Sequence, residues 1–204
     1  MALLLTGFTP FGGHTTNSSE AVVNALSPGA TGLASAVLRT EYQFAGDEIA
    51  RLIREGRPSA IVCLGMNERS GQVRIETLAR NWDGCPRPDN AGELRQGQAI
   101  LEGAPGTYPS TLPIGRLETL LAGEGIEVAR SEDAGGFICN HVFFRACHEN
   151  AATRGVPCGF IHLPPLAGLP DSPDTARPLA TLVRAIGLCL SEIQAAAQGA
   201  RIPG

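Results

Sequence analysis

The amino-acid sequence predicts an α/β fold, a three-layer α/β/α sandwich with a mixed, largely parallel central sheet. Short apolar runs, typical of strands buried on both faces, alternate along the chain with segments whose apolar residues recur at a helical spacing. Such alternation favours a largely parallel sheet that is covered by helices. The 204 residues are few enough to share one hydrophobic core, and we expect a single domain over residues 1–204.

The predicted strands are apolar or alternating runs that end at glycine, proline or polar residues. In chain order they are ALLLTG, GLASAVLRTEYQF, AIVCLG, QVRIETLARN, IEVARSED and CGFIHLP. After the fourth of them, the stretch from Trp82 to about Ser110 contains clusters of glycine and proline, which predict a long loop. Loops of that length are often functional.

Five segments are predicted to form helices. NSSEAVVNAL has serine and asparagine as capping candidates and Glu20 in its first turn. AGDEIARLIREGRP has one apolar face, and Gly56 is its predicted stop. The other three are LPIGRLETLLAGEG, CNHVFFRACHENAATRG, which begins at Cys139, and DTARPLATLVRAIGLCLSEIQAAAQG at the C-terminus.

Composition excludes several classes of function. A net charge of -4 without a run of Lys or Arg gives no basic surface for nucleic acid or for an anionic membrane, and we expect a small neutral or mixed-charge ligand instead. No stretch approaches the roughly 18 continuous apolar residues that a membrane span needs. MALLLTGF has neither a basic flank nor a small-residue cleavage site, so we expect a mature N-terminus. The six cysteines form no CxxC pair, which predicts thiols in a reducing cytoplasm.

Cys139 is the first candidate for catalysis. In GGFICNHVFF it lies where an apolar run gives way to a helix, so its thiol would face backbone N–H groups and the positive end of the helix dipole. That environment favours the thiolate. Free cysteine is also among the most buried residue types, and Cys63 and Cys189 are the clearest examples of such a filler. Position alone leaves both interpretations of Cys139 open.

A cysteine nucleophile needs a base, and the base needs an orienting group. His162 follows CGFI at the end of a strand, where sites of α/β proteins gather, although a structural histidine is the alternative. Glu76 places a carboxylate within VRIETLA, which is costly unless the group is paired or faces solvent. For His14, His141 and His148 we expect surface or capping positions.

Metal and phosphate sites have little support. Cys139 with His141, and Cys147 with His148, are not spaced as zinc ligands, and no second Cys/His pair completes four ligands. The segment GFTPFGG has neither a Walker lysine nor the GxGxxG pattern of nucleotide-binding loops. We therefore predict a site without metal.

Three groups of segments, in this order, resemble the pyroglutamyl peptidase I family, also called pyrrolidone-carboxylate peptidases. They are LLTGFTPFGG with NSSEAV, DNAG with YPSTLPI, and GGFICNHVFF with GFIHLP, over about residues 3–166. The resemblance implies a cysteine exopeptidase that removes N-terminal pyroglutamate from peptides through a thioester acyl-enzyme, without a cofactor. It also implies a compact α/β/α sandwich and a homo-oligomer, often a tetramer. Past Pro170 there is little resemblance, and we expect only a packing helix.

The resemblance assigns roles residue by residue. Cys139 matches the nucleophile, His162 the base and later acid, and Glu76 the group that orients the imidazole. Phe8 and Phe11 match the phenylalanines that line the pyroglutamyl pocket of the family. From the residues alone, two core aromatics beside a loop were the better interpretation of Phe8 and Phe11.

The chain departs from the family's pattern around the expected pocket. It has GMNERSG where the family usually has GxAGGR, with Met66 and Asn67 replacing the common glutamine and alanine, and ETLARN where the family has ERVAIN. CPRPDN replaces ARIPDN, so an arginine of the active site is missing or displaced to Arg87. Met66 and Arg87 are therefore included among the candidate substrate-binding residues. The departures keep two alternatives open: a hydrolase of another small blocked amide, and a non-catalytic binding relative that kept the fold.

Overall fold

The computed structural model describes residues 2–169 and 172–199. The strands are β1 Leu3–Phe8, β2 Leu33–Leu38, β3 Ile61–Met66, β4 Val73–Glu76, β5 Leu78–Arg80, β6 Asp83–Gly84, β7 Gln96–Gln98, β8 Thr107–Pro109, β9 Val128–Ser131 and β10 Cys158–Leu163. The helices are α1 Ser18–Leu26, α2 Tyr42–Gly56, α3 Ile114–Gly123, α4 Ile138–Thr153 and α5 Leu179–Gly199.

Six strands form the central sheet, in the order β2-β1-β3-β10-β4-β9. Strands β2, β1, β3 and β10 pair in parallel, β4 pairs antiparallel with β10, and β9 is again parallel to β4. The prediction of a mixed, largely parallel sheet is confirmed. Two small antiparallel sheets, β5 with β8 and β6 with β7, lie outside it.

The two faces of the sheet carry separate hydrophobic clusters, because successive side chains of a strand point to opposite faces. On β3, Val62 and Leu64 join a cluster with side chains of α1, α3 and α5. Ile61 and Cys63 of the same strand join the other cluster, with α2 and α4. These clusters make the three layers of the predicted sandwich.

Helices α1 and α2 differ in whether the residue that caps their first turn is a neighbour in sequence. Asn17 caps α1, and its side chain accepts a hydrogen bond from the Ser19 amide at 3.0 Å, as the capping candidates predicted. Helix α2 starts at Tyr42, within the segment assigned to the preceding strand, because Asp89 from the long loop accepts the Tyr42 amide at 2.8 Å. Helix α2 ends at Gly56, as predicted, and Arg57 after it takes the left-handed conformation, with φ 45°.

Three other boundaries differ from the sequence prediction. Helix α4 begins at Ile138, one residue before Cys139, and α5 begins at Leu179 rather than near Asp174. The predicted strand QVRIETLARN is divided between β4 and β5, which belong to different sheets. The long loop after Trp82 contains the short strands β6, β7 and β8.

Helix α5 is apolar over Leu179–Ala197 and is long enough to cross a membrane by length and composition alone. Arg184 and Glu192 interrupt this helix, so it contains no run of about 18 continuous apolar residues, as expected from the sequence, and it meets only the looser criterion of length and mean hydropathy. Leu182, Ile186 and Ile193 of this helix pack into the cluster shared with α1 and α3. The core helix of a soluble protein passes the same test, so the length and composition of α5 are weak evidence for a membrane.

Candidate active site

Glu76, His162 and Cys139 come from three elements that meet on the α2/α4 side of the sheet. On β10, Phe160 packs into the α2/α4 cluster, and strand alternation turns His162 to the same side. On β4, Ile75 packs into the opposite cluster, so the next residue, Glu76, also faces α4. Phe160 is the cross-strand partner of Glu76, which places His162 on the diagonal, within reach of a long side chain.

His162 and Glu76 form a buried hydrogen-bonded pair. Nδ1 of His162 lies 2.8 Å from Oε1 of Glu76, and the Glu76 side chain is 0% exposed. Among the described residues, Oε2 of Glu76 has no hydrogen-bond partner. Arg74 Nε is 4.0 Å from Oε1, and the same guanidinium donates to Ser131 Oγ at 2.7 Å. A buried carboxylate is costly unless a charge balances it, and the imidazolium of His162 supplies that charge at hydrogen-bond distance.

The protonated form of His162 is stabilised by both of its neighbours. Burial by itself lowers the pKa of an imidazole, because it penalises the charged form. In His162 this effect is outweighed by the interaction of the ring with the sulfur of Cys139 and by its hydrogen bond and charge interaction with Glu76. The pKa of His162 rises from 6.5 to about 9. Since Nδ1 contacts Glu76, Nε2 is the nitrogen available to the thiol.

Cys139 occupies the second position of α4. The first amides of a helix have no partner within it, and Phe137, the N-cap residue, provides no side-chain hydrogen bond to them. The thiol therefore lies beside open N–H groups and the positive end of the helix dipole. Gly65 on β3 leaves room for the sulfur, because a Cβ at this position would approach Cys139 Sγ to 2.9 Å. By contrast, Cys63 is fully buried in the core, and burial raises its pKa to about 12.

A cavity of about 290 Å³ opens over Cys139 and His162. Its aromatic part is formed by Phe11 and Phe137, whose ring centroids are 5.8 Å apart, and the Arg87 guanidinium lies 5.4 Å from the Phe11 ring. The other lining residues are Met66, Asn67, Glu68, Arg69, Asp133, Ala134 and Gly135. The cavity thus combines apolar rings with charged groups next to the thiol.

Of the four predicted substrate-binding residues, Phe11, Met66 and Arg87 line this cavity. Phe8 has a different position: it is the last residue of β1, 2% exposed, and its ring centroid is 6.4 Å from that of Phe160 in the core. The structure therefore places Phe8 in the α2/α4 cluster, because the strand still directs its side chain inward, and its role in binding stays a prediction. Phe137 was missed, although its place two residues before Cys139 was an available signal.

His141 does not have the surface or capping position expected from the sequence. It is 4% exposed, and its Nδ1 lies 2.7 Å from Oδ2 of the fully buried Asp83. Arg95 Nη1 contacts the same oxygen at 2.7 Å, and the Arg95 guanidinium lies 4.5 Å from the centroid of the Tyr42 ring. The expectation failed because Asp83 lies in the long loop, far from His141 in sequence. Among the residues with described structure, no group of three or more His, Cys, Asp or Glu residues could hold a metal.

Residues 1–198 match the family model described as Pyroglutamyl peptidase. The chain belongs to the pyroglutamyl peptidase family. This is a family of cysteine peptidases. Among curated relatives, the pyrrolidone-carboxylate peptidase of Gloeobacter violaceus is 35% identical over 200 residues, which cover 95% of this chain and 97% of the relative. The pyrrolidone-carboxylate peptidase of Bacillus velezensis is 38% identical over 168 residues, covering 79% and 77%.

Solved structures of the pyroglutamyl peptidase family have the same fold. A mutant pyrrolidone carboxyl peptidase from the hyperthermophile Pyrococcus furiosus superposes with a TM-score of 0.88 at 26% identity, covering 96% of this chain and 99% of that chain. Pyroglutamyl peptidase I from Bacillus amyloliquefaciens gives 0.87 at 30% identity, covering 95% and 97%. The likeness therefore extends beyond the segments that carried the resemblance.

Proposed function

We propose that this pyroglutamyl peptidase removes pyroglutamate from the N-terminus of peptides, with Cys139 as nucleophile, His162 as acid and base, and Glu76 as the orienting carboxylate. The observation that carries the proposal is the position of the His162 ring between Glu76 and the cavity that contains Cys139. Glu76 holds Nδ1 of His162 at 2.8 Å, while the same imidazole lines an open cavity together with Cys139, whose sulfur raises the pKa of the ring. A nucleophile, a base and an orienting group in that order perform acyl transfer on many folds.

In the first step, the Cys139 thiolate attacks the carbonyl carbon of the bond after pyroglutamate, and a C–S bond forms. The negative charge that develops on the carbonyl oxygen is stabilised by the open amides at the start of α4. When the C–N bond breaks, His162 donates its proton to the leaving amine. A thioester between Cys139 and pyroglutamate remains, and the shortened peptide leaves.

In the second step, the neutral imidazole of His162 takes a proton from water, and the water oxygen attacks the thioester carbonyl. The C–S bond breaks, which releases pyroglutamate and restores the thiolate beside the imidazolium. Glu76 takes no part in either proton transfer. Its part is to keep the ring oriented and to favour the charged form that begins each cycle.

The cavity suits the acyl group that this reaction needs. Pyroglutamate is a neutral five-membered lactam, so the rings of Phe11 and Phe137 can cover its carbon atoms while polar groups pair with its N–H and C=O. Against the two rings, the ammonium of a free amino terminus would lose its water without gaining a hydrogen-bond partner, at a cost of several kcal/mol. Selectivity for the blocked terminus follows from that cost.

The test is release of fluorophore from a pyroglutamyl coumarin amide by the purified protein, with a prolyl coumarin amide and the Cys139→Ala variant in parallel. We expect cleavage of the pyroglutamyl compound alone, and loss of cleavage on substitution. If the folded protein cleaves neither compound, the function is a different one, and hydrolysis of another small blocked amide or binding without catalysis takes its place.

The setting is also part of the proposal. We infer a cytoplasmic protein, supported by six cysteines that are all free thiols, as a reducing compartment requires. We infer a homo-oligomer, with the tetramer as the form that the sequence resemblance implies. Cell fractionation and light scattering on the purified protein test these two statements, and recovery of a monomer at micromolar concentration would contradict the second.

A further inference from the structure

Asn140, the residue after Cys139, is 1% exposed, and its side-chain amide pairs with the backbone of another segment. Its Oδ1 accepts from the Arg80 amide at 3.0 Å, and its Nδ2 donates to the carbonyl oxygens of Arg80 at 2.9 Å and of Trp82 at 2.8 Å. A reversed amide would place N–H groups against the Arg80 N–H, so the side chain has one orientation only. Helix α4 is therefore tied to β5 directly after the residue that carries the sulfur.

The segment that Asn140 holds follows Glu76 in the chain. A single residue, Thr77, separates Glu76 of β4 from β5, and the Thr77 amide donates to the Ser131 carbonyl at 2.7 Å. Glu76 in turn contacts His162 at 2.8 Å. The contact of Asn140 with β5 thus completes a connection from the helix of the sulfur, through β5 and β4, to the imidazole.

The chain after Glu76 also contacts α4 on the other side of Cys139. The Gly84 amide donates to the Gly136 carbonyl at 2.9 Å. The Trp82 ring covers both glycines, and a Cβ on Gly136 would lie 2.3 Å from this ring and 2.3 Å from the Gly84 carbonyl oxygen. Phe137 gives the helix no side-chain cap. The first turn of α4 is therefore held by its packing against β5 and β6.

We propose that Asn140 is a positioning residue for the cleavage reaction: by fixing the first turn of α4 against the chain that follows Glu76, its side chain sets the place of the Cys139 sulfur relative to His162. The inference rests on the proposed function and deepens it. Asn140 is not among the described residues that line the cavity, so it acts through Cys139 and not on the substrate. A displacement of about 1 Å between reacting groups can lower a rate by about 10²-fold.

Helix α4 provides a matched control in Asn150. This residue is 5% exposed, and its side-chain amide also pairs with backbone outside the helix. Its Nδ2 donates to the Val156 carbonyl at 2.8 Å, and its Oδ1 accepts from the Val156 amide at 3.0 Å. Asn150 lies about three helical turns beyond Cys139. The two asparagines therefore make the same kind of contact at different distances from the nucleophile.

The experiment compares Asn140→Ala with Asn150→Ala and the wild type. For each protein, kcat and KM are measured with the pyroglutamyl coumarin amide, and the midpoint of unfolding is measured in urea. The rate of Cys139 alkylation by iodoacetamide is measured by peptide mapping after short exposure, at several pH values. Asn140→Ser joins the series and takes the place of the alanine variant if that variant does not fold, since its hydroxyl keeps a polar atom in the same space.

We expect both alanine variants to lower the midpoint of urea unfolding by similar amounts, because each leaves buried backbone groups without a partner. Only Asn140→Ala should lower kcat, by about 10²-fold, with KM within about threefold of the wild type, because the residues of the cavity are unchanged. Asn140→Ser should follow Asn140→Ala, because its side chain is too short to pair with β5.

Alkylation gives a second readout that does not depend on substrate. In Asn140→Ala, Cys139 should be alkylated about tenfold more slowly at neutral pH, because a thiol displaced from the imidazolium of His162 ionises at higher pH. Raising the pH should restore the rate while Cys63 stays unlabelled, which a general loosening of the fold would not do. Asn150→Ala should keep the wild-type kcat and alkylation rate.

Equal kcat values in Asn140→Ala and Asn150→Ala, whether both fall or neither does, would overturn the inference, because the effect would then not depend on position along α4. A raised KM at unchanged kcat would overturn it as well, since Asn140 would then shape the cavity. A wild type that does not cleave the pyroglutamyl substrate contradicts the proposed function instead. The alkylation rates then still test the inference, so the two failures are distinguishable.

Discussion

The molecule contains two buried histidine–carboxylate pairs that are almost identical at their first contact. His162 meets Glu76 at 2.8 Å and His141 meets Asp83 at 2.7 Å, and neither imidazole is more than 7% exposed. Their surroundings differ. The His162 ring also meets a thiol beneath an open cavity, whereas a Cβ on Gly46 of α2 would lie 2.4 Å from the second nitrogen of His141. We therefore expect a carboxylate-bound imidazole to be catalytic only where its other nitrogen faces a nucleophile and a space for substrate.

Charge balance separates the two pairs further. Asp83 is paired with Arg95, whose Nη1 contacts its Oδ2 at 2.7 Å, in addition to its contact with His141. The ion pair of Glu76 with an arginine is longer, since Arg74 Nε stands 4.0 Å from its Oε1. The charge of Glu76 acts on His162, whose pKa is about 9. A carboxylate thus anchors a loop through His141, and under the proposed function another carboxylate supports the proton donor His162.

The largest expected effect follows removal of the nucleophile. Cys139→Ala should lower kcat by at least about 10⁴-fold, because loss of a nucleophile removes the covalent route altogether. Cys85→Ala, at a half-buried cysteine of the long loop, is the control and should stay within about threefold of the wild type. Steady-state kinetics on folded protein measure both. Substantial activity in Cys139→Ala would end the assignment of the nucleophile.

Replacing each histidine by glutamine should separate catalysis from stability. His162→Gln is expected to lower kcat by about 10³-fold, because the proton donor and acceptor is lost. His141→Gln should leave kcat per folded molecule nearly unchanged and lower the free energy of unfolding by about 1–3 kcal/mol, since Asp83 loses a buried donor. Kinetics and urea unfolding distinguish the two effects. The comparison fails if both variants show the same pattern.

Replacing Glu76 and Asp83 tests, through the pH dependence of kcat/KM, whether the two histidine–carboxylate pairs have different roles. In the wild type, kcat/KM should fall as pH rises through about 9, because His162 loses the proton that the leaving amine needs. Glu76→Gln removes a charge that raises this pKa, so the alkaline limb should move to lower pH and the activity should fall about 10²-fold. A pH profile of both proteins tests this. An unmoved limb would show that Glu76 does not act through His162.

In the His141–Asp83 pair, the variant that corresponds to Glu76→Gln is Asp83→Asn. It removes one of the two carboxylates that Arg95 contacts, while Glu93 still accepts from Arg95 Nε at 2.7 Å, and we expect a loss of about 1–3 kcal/mol in the free energy of unfolding. The alkaline limb should stay in place. A shifted limb in Asp83→Asn would connect the two pairs and remove the distinction between them.

The smallest expected effect is in thiol reactivity. Iodoacetamide at neutral pH should label Cys139 faster than a small model thiol, because a thiolate beside an imidazolium at a helix start is favoured. Cys63 and Cys189 should stay unlabelled while the protein is folded, since burial raises each pKa to about 12. Peptide mapping after short exposure measures the order of labelling. Similar rates at Cys139 and Cys63 would contradict the assigned role of Cys139.

The elements could be predicted from sequence where their signals are local. Strand β3 is a continuous apolar run, and helix α1 has its capping residue, Asn17, within the predicted segment. Both elements were predicted from the sequence. The start of α2 could not be found in this way, because its cap, Asp89, lies 47 residues from Tyr42. Burial of His141 depends on Asp83, 58 residues away, for the same reason.

The candidate site shows the same limit. Cys139, His162 and Glu76 could be named from the resemblance, yet their meeting depends on a pairing between strands 86 residues apart. Phe8 and Phe11 were indistinguishable in the sequence, because only the end of β1 decides which ring faces the core. Glu68 was not predicted to line the cavity, since the ion pair that holds it is made with Arg87, 19 residues further along the chain.

The antiparallel pairing of β4 with β10 also has a consequence in time. Glu76 and His162 are far apart in the chain, so the imidazole has no orienting partner until both strands have docked. Contacts of such long range form slowly, because the intervening chain must first be closed into a loop. Helix α4, by contrast, is local and can present Cys139 early. In a newly made chain, Cys139 can therefore occupy its place on α4 before His162 is oriented by Glu76. We expect peptidase activity to appear only when β4 and β10 have paired.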